Sequence, residues 1–221
     1  MIISPGRNYI FVHIPKTGGT SLALALEDRA KADDILIGDT PKALRRRRRL
    51  KGVQAAGQLW KHSTLVDIDG LVSPEFVANA FVFTLVRNPW DRMVSYYHWL
   101  RDQNFDHPAV LLAQTLGFAD FVQDPQTRSA FRQQSYGSYL RDVSGRDRGA
   151  LYIRLEQFAK DAGPLWAQLG FRLNLPHENA SERVQDYRSY YDDRLMKVVA
   201  DCCAEDIARF GYQFGPDDAG L

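Results

Sequence analysis

The chain has 221 residues, 45% hydrophobic and 25% charged, with 16 Gly and 10 Pro, which excludes a disordered, collagen-like or low-complexity protein. That length buries a core without disulfide or metal staples. The 28 basic and 27 acidic residues leave a net charge of +1, excluding a whole-molecule electrostatic grip on nucleic acid or membrane.

Asn8 to Ile14 (NYIFVHI) is a short β-branched and aromatic run stopped by Pro15 and the Gly18-Gly19 pair, so it predicts a buried strand and a tight turn. Thr20-Ser21 then open SLALALEDRAK, a stretch of helix formers. The unit is strand, glycine loop, helix. Ile35-Leu36-Ile37 predicts a short edge strand.

Seven cations follow: Lys42, the five arginines 45–49, and Lys51, with no acid among them. Without these seven, 21 basic residues face 27 acidic ones, a balance of −6. The run reads as a solvated helix or loop, as a docking strip for an anionic acceptor or, least, as a nucleic-acid contact, since it lacks interleaved aromatics for base stacking.

Ser73-Pro74-Glu75 has the chemistry of a helix start. Phe81 to Val86 (FVFTLV) predicts a strand covered on both faces, hence a parallel sheet flanked by helices. Trp90 to Arg101 reads as a helix. The stretch 109–140 is helical with Phe118, Phe121 and Val122 in the core, Leu151 to Leu155 predicts a strand, and 156–169 and 193–210 predict helices. With no linker or repeat, one α/β domain spanning 1–221 is expected. Cys202 and Cys203 are adjacent, which disfavours a disulfide and fits a reducing compartment. The N-terminus lacks a signal-peptide pattern and no run of about 18 apolar residues occurs, so a cytoplasmic protein is expected.

Two constellations carry chemistry. Lys16-Thr17-Gly18-Gly19-Thr20-Ser21 lies between a buried strand and a helix. Its glycines turn backbone N–H groups inward, the helix N-terminus adds about half a positive charge, and hydroxyls and a lysine complete an anion cradle. The lysine precedes the glycines, and no G-K-[ST] of the nucleotide-hydrolase loop occurs. A structural turn with a solvated lysine is the alternative. The second is Arg87-Asn88-Pro89-Trp90-Asp91-Arg92 with Ser95, at the carboxyl end of the other buried strand, where ligands bind in parallel sheets. An arginine fork and a hydroxyl suit a terminal phosphate. Asp91 and Arg92 read instead as a local ion pair.

FVHIPKTGGTSL, followed roughly seventy residues later by FTLVRNPWDRMVSYY, resembles the sulfotransferases that use 3′-phosphoadenosine 5′-phosphosulfate (PAPS), most closely the carbohydrate type that includes heparan sulfate 2-O-sulfotransferase and its bacterial relatives. Further echoes are Tyr152-Ile153-Arg154-Leu155-Glu156, Leu175-Pro176-His177-Glu178-Asn179, Tyr187 to Tyr191 and Phe210 to Phe214, in the family's order. The resemblance implies a P-loop-like three-layer α/β sandwich. It implies that Lys16 contacts the sulfuryl group and bridging oxygen, that Thr17, Gly18, Gly19, Thr20 and Ser21 hold the 5′-phosphate, and that Arg87 and Ser95 hold the 3′-phosphate.

The family's histidine base falls on His62 in Trp60-Lys61-His62-Ser63-Thr64, and His62 is the only histidine between the motifs. His13 is expected to be structural, His98 lies one turn beyond Ser95 and is a candidate to line the pocket, and His107 and His177 read as loop residues. The implied reaction is in-line sulfuryl transfer from PAPS to a hydroxyl, with adenosine 3′,5′-bisphosphate (PAP) as product and no metal. The expected partner is a carbohydrate or another anionic small molecule or polymer, and not nucleic acid. Animal polysaccharide enzymes of this type carry a membrane anchor and stem before the first strand, and the absence of such a segment here suggests a bacterial enzyme. The rival functions are a nucleotide-dependent phosphotransferase and a non-catalytic PAP- or polyanion-binding protein.

Overall fold

The computed structural model describes residues 1–174 and 186–215, and the LPHEN segment with His177 lies outside them. The chain divides into two compact units, one formed by Met1–Val86 and the segment that begins at Tyr136, the other by Arg87–Ser135 and the C-terminal segment.

The first unit holds a five-stranded sheet: β1 (Ile2–Ser4), β2 (Tyr9–Val12), β3 (Ile35–Leu36), β4 (Phe81–Val86) and β5 (Gly149–Arg154), in the order β3-β1-β2-β4-β5. β2, β4 and β5 are parallel, as expected for β2 and β4, which are hidden on both faces. β1 is antiparallel to both β2 and β3. Its three residues are too few to show periodicity, which is why the sequence does not reveal it. The turn Pro5–Arg7 joins β1 to β2, and a connection that short permits only a hairpin.

All four residues of β2 and five of the six in β4 are buried, so neither face of this pair meets water. On one face Tyr9, Phe11 and Phe83 pack together, with ring centroids 5.4–5.6 Å apart. Leu22 and Leu26 of α1 (Gly19–Asp28) cover them, with Ala43 of α2 (Pro41–Arg46) and Leu165 and Leu169 of the helix Gly163–Leu169. The one polar residue inside β4, Thr84, is satisfied by donating to the Val12 carbonyl at 2.7 Å. α3 (Pro74–Asn79) starts as predicted, with Ser73 Oγ accepting from the Phe76 N–H at 3.1 Å.

In the second unit, α4 (Pro89–Arg101) is capped by Asn88, whose side-chain oxygen accepts from the Trp90 N–H at 3.1 Å. Asn88 also donates to the Tyr187 hydroxyl and the Gln213 carbonyl, each at 3.2 Å, so it ties three segments of this unit together. The predicted helix over 109–140 is four helices, Pro108–Thr115, Phe118–Gln123, Pro125–Gln133 and Tyr136–Tyr139, the last in the first unit. Gly117 and the Asp124-Pro125 pair interrupt it, Asp124 accepting from the N–H groups of Gln126 and Thr127. Phe121 and Val122 are fully buried as expected, and Phe118 packs against the rings of Tyr97, Tyr190 and Tyr191. The predicted 193–210 helix breaks at Cys203 into Asp193–Cys202 and Ala204–Phe210. Both cysteines are free thiols. Burial pushes Cys203 up to about 12.

The arginine run forms α2 and a following 3₁₀ turn, Arg47–Leu50. Three of its seven cations serve the fold. Lys42 donates to the Glu27 carbonyl, Arg46 to those of Lys31 (2.8 Å) and Asp34 (3.3 Å), and Arg49 to that of Ala32. These carbonyls belong to the last turn of α1 and the loop after it, where acceptors lack helical partners and the helix dipole is negative. Arg45, Arg47, Arg48 and Lys51 are exposed. Arg46→Ala is therefore expected to lower stability by about 1 kcal/mol, and Arg48→Ala to leave urea unfolding midpoints unchanged. Equal midpoints for the two variants would refute the division.

Candidate active site

The first unit brings the glycine loop and His62 together. β2 ends at Val12, His13 and Ile14 extend it, and the chain turns so sharply that Lys16 adopts a left-handed backbone, φ 64°. A non-glycine residue there carries strain of order 1–3 kcal/mol, a pattern found where side-chain placement matters. Thr17 is fully buried and donates its hydroxyl to the Ile14 carbonyl at 2.9 Å. Its proton closes the loop, so what Thr17 offers a ligand as a donor is its backbone N–H. Gly18 has φ 80°, and a β-carbon there would stand 2.8 Å from Leu155 Cδ1. Gly19 opens α1, and the N–H groups of Gly19, Thr20 and Ser21 fall in the first turn, where no helical acceptor reaches them. The loop thus has the donor set of an anion cradle.

Gly19 also has a steric reason to be glycine. A β-carbon at that position would lie 2.2 Å from His13 Cδ2, so the imidazole of His13 occupies the space a side chain would need. His13 is buried and meets the His62 ring at 4.6 Å between centroids. The carbonyl of His13 accepts a hydrogen bond from His62 Nδ1 at 2.7 Å. A carbonyl can only accept, so Nδ1 carries the proton and Nε2 keeps its lone pair. Burial pushes His62 down to about 4, helped by the charge of Lys61 and opposed by the bond to His13. Burial also pushes His13 well below the usual range, with the neighbouring His62 adding to it. Both rings are neutral at pH 7.

The structural role expected of His13 fits its burial and its packing on Gly19. Its position three residues before Lys16 is its sequence signal, and its contacts with Gly19 and His62 come from the fold. The turn carrying His62 is pinned by Ser63, fully buried, whose Oγ accepts from the Trp60 N–H at 2.9 Å. Lys61, the residue between Trp60 and His62, pairs with Asp39 at 2.7 Å.

Arg87 directly follows β4 in the chain and belongs to the second unit. Its Nε and NH2 contact Asp91 Oδ2 at 2.7 and 2.6 Å. Asp91 thus pairs with Arg87. The guanidinium of Arg92, whose side chain is buried, lies over the Phe131 ring at 5.3 Å. Arg87, Asp91 and Ser95 recur every four residues, which puts them on one face, and Ser95 is buried. His98, a candidate pocket residue, packs edge-on against Tyr97 and Tyr190. Tyr187 donates to the Gly215 carbonyl and Tyr191 to that of Trp90, each at 2.8 Å. Their rings pack on Phe214, so they serve the core of this unit. His107 caps the helix Pro108–Thr115, its Nδ1 accepting from the Ala109 N–H. No group of three or more His, Cys, Asp or Glu side chains that would hold a metal occurs among the described residues.

A parallel sheet core with a glycine loop and a helix N-terminus after one strand defines a P-loop-like α/β protein. The chain belongs to the sulfotransferase family, whose model matches residues 1–213. Its fold is similar to that of mouse sulfotransferase SULT7A1 complexed with PAP, with a TM-score of 0.53 and 18% identity over 93% of this chain and 85% of that one. No curated protein sequence matches significantly.

The sign of the pH dependence of stability follows from His62. Its folded value of about 4 lies below the ordinary 6.5 of an imidazole in water, so between these values the unfolded chain binds more protons and stability rises with pH. Thermal midpoints are expected to climb from pH 4.5 to 6.5 and to level off above. His62→Gln should flatten that climb, leaving the contribution of His13. An identical pH slope in the variant would contradict the assignment.

Proposed function

We propose that the protein is a PAPS-dependent sulfotransferase acting on a carbohydrate hydroxyl, with His62 as general base. The observation that carries this reading is the junction in the first unit. A strained Lys16 and the open N–H groups of α1 share a loop with Gly19, and the ring packed on Gly19 belongs to the residue that fixes the tautomer of His62. Membership of the sulfotransferase family supports sulfuryl transfer. A relative of similar fold complexed with PAP supports the nucleotide.

In this reading Gly18, Gly19, Thr20 and Ser21, with the Thr17 N–H, hold the 5′-phosphate end of the donor, and Arg87 and Ser95 hold its 3′-phosphate. Asp91 fixes the Arg87 fork in one orientation, which lowers the ordering cost of binding. Bound there, PAPS supplies a sulfuryl group whose bond to the acceptor oxygen forms as its bond to the bridging phosphate oxygen breaks, the electron pair leaving with the phosphate. Lys16 stabilises the charge that grows on that oxygen. His62 takes the acceptor proton on Nε2, and the carbonyl of His13 steadies the imidazolium that results. The low basicity of His62 keeps it unprotonated until that moment. Arg45, Arg47, Arg48 and Lys51 offer exposed positive charge to an acidic acceptor chain.

His62→Ala is expected to lower kcat by about 10²- to 10⁴-fold, and Lys16→Ala by about 10²- to 10³-fold. Arg87→Ala should instead weaken PAP binding by about 10- to 100-fold, the value of a charged hydrogen bond. Unchanged sulfate transfer from PAPS in all three would defeat the assignment. A thermal-shift comparison of PAP, ATP with magnesium, and heparin separates the rivals. PAP should stabilise most, heparin modestly and only while the exposed arginines are present. Stabilisation by ATP-magnesium alone would favour a phosphotransferase.

A further inference from the structure

Trp60 has no role in the chemistry above, yet it is placed and held as few surface tryptophans are. Its side chain is half exposed, although an indole of this size is usually much buried. Its ring stands edge-on to His62, centroids 4.9 Å apart and planes at 86°. Its backbone is fixed by Ser63, through the Trp60 N–H to Ser63 Oγ bond and a Ser63 N–H to Trp60 carbonyl bond of 3.0 Å. A rigid, wet aromatic surface therefore adjoins the candidate base.

The next residue supplies polar groups. The Lys61–Asp39 pair is well exposed on the Asp39 side; burial raises the Asp39 carboxyl, but the hydrogen bond and charge of Lys61 outweigh it and hold the group below its usual range. A shallow hollow lined by His13, Thr20, Gly38, Asp39, Thr40 and Lys61 borders this pair. Through Thr20 it reaches the start of α1, and through His13 the ring that touches His62. Within one unit, Trp60 thus touches His62, His62 touches His13, and His13 lines the same hollow as Thr20 and the ion pair.

We propose that Trp60 and the Asp39–Lys61 pair form the acceptor subsite, and that its ligand is a pyranose ring. The C–H face of such a ring is apolar and flat enough to lie on an indole. Its hydroxyls are donors and acceptors at once, which suits a carboxylate beside an ammonium. A ring held there presents a neighbouring hydroxyl to Nε2 of His62. The proposal rests on the sulfuryl-transfer reading, and names the substrate surface of that same site. Trp60 is a binding residue that acts on KM, distinct from His62, which acts on kcat.

The test uses the full-length protein saturated with PAP and titrated calorimetrically with cellotetraose, maltotetraose and chitotetraose, with sorbitol as the open-chain control. At least one tetrasaccharide should bind while sorbitol does not. Trp60→Ala should weaken that binding by about tenfold, the effect of removing one aromatic contact of about 1.4 kcal/mol. Trp60→Phe should stay within about threefold of wild type, and Asp39→Asn should also weaken binding. The sugar that binds then serves as acceptor with PAPS, and Trp60→Ala should raise its KM while kcat at saturation is kept. The PAP-induced thermal shift should be the same in wild type and Trp60→Ala.

Binding of none of the three sugars, or equal binding by Trp60→Ala, overturns the subsite while a PAP shift in wild type leaves the transferase reading standing. A fall in kcat that Trp60→Phe does not restore overturns it as well, because Trp60 would then serve only to position His62. Absence of any PAP shift in wild type overturns the transferase reading and the subsite with it.

Discussion

The candidate site depends on the placement of one buried residue, His13. Its carbonyl holds Nδ1 of His62, its ring fills the space beside Gly19, and its position at the end of β2 fixes both to the sheet. Loop, helix start and His62 are therefore one mechanical piece. A displacement of the imidazole would disturb the glycine loop and the tautomer of His62 together. This interlock explains why Gly19 has no side chain, a constraint separate from the backbone freedom that Gly18 uses at φ 80°.

Burial gives that arrangement its electrostatic character. Two neutral imidazoles lie beside the glycine loop, and the carbonyl bond keeps the proton of His62 on Nδ1, leaving Nε2 with its lone pair. The same low polarity that depresses His62 strengthens any interaction with an anion brought to the loop. Positive charge is divided between uses across the chain. Lys16 is held in a strained turn, Arg87 is tied to Asp91, and three cations of the arginine run close the carbonyl end of α1. A net charge of +1 conceals these separate tasks.

Much of the scaffold was legible in the sequence, because the residues that make it are contiguous. NYIFVHI and FVFTLV are runs whose burial on both faces follows from composition, and the glycine loop between strand and helix has a local signature. Ser73-Pro74-Glu75 started a helix for equally local reasons. Legibility failed where length was short or continuity broke. β1 has three residues and is made a strand by its neighbours β2 and β3. The long helix read over 109–140 ignored Gly117 and Asp124-Pro125, whose capping chemistry divides it.

The sequence by itself determined the α/β class, the parallel pairing of the two buried strands and the glycine loop between strand and helix, since each arises from neighbouring residues and the period of their hydrophobicity. Only the tertiary structure decided which partners those residues take. Asp91 pairs with Arg87, Arg92 lies over the Phe131 ring, Tyr187 and Tyr191 pack on Phe214, and His13 links the loop to His62. The physical reason is range. Propensity and periodicity act over a few residues, whereas His13 and His62 are 49 positions apart and meet only once the sheet and its loops have formed.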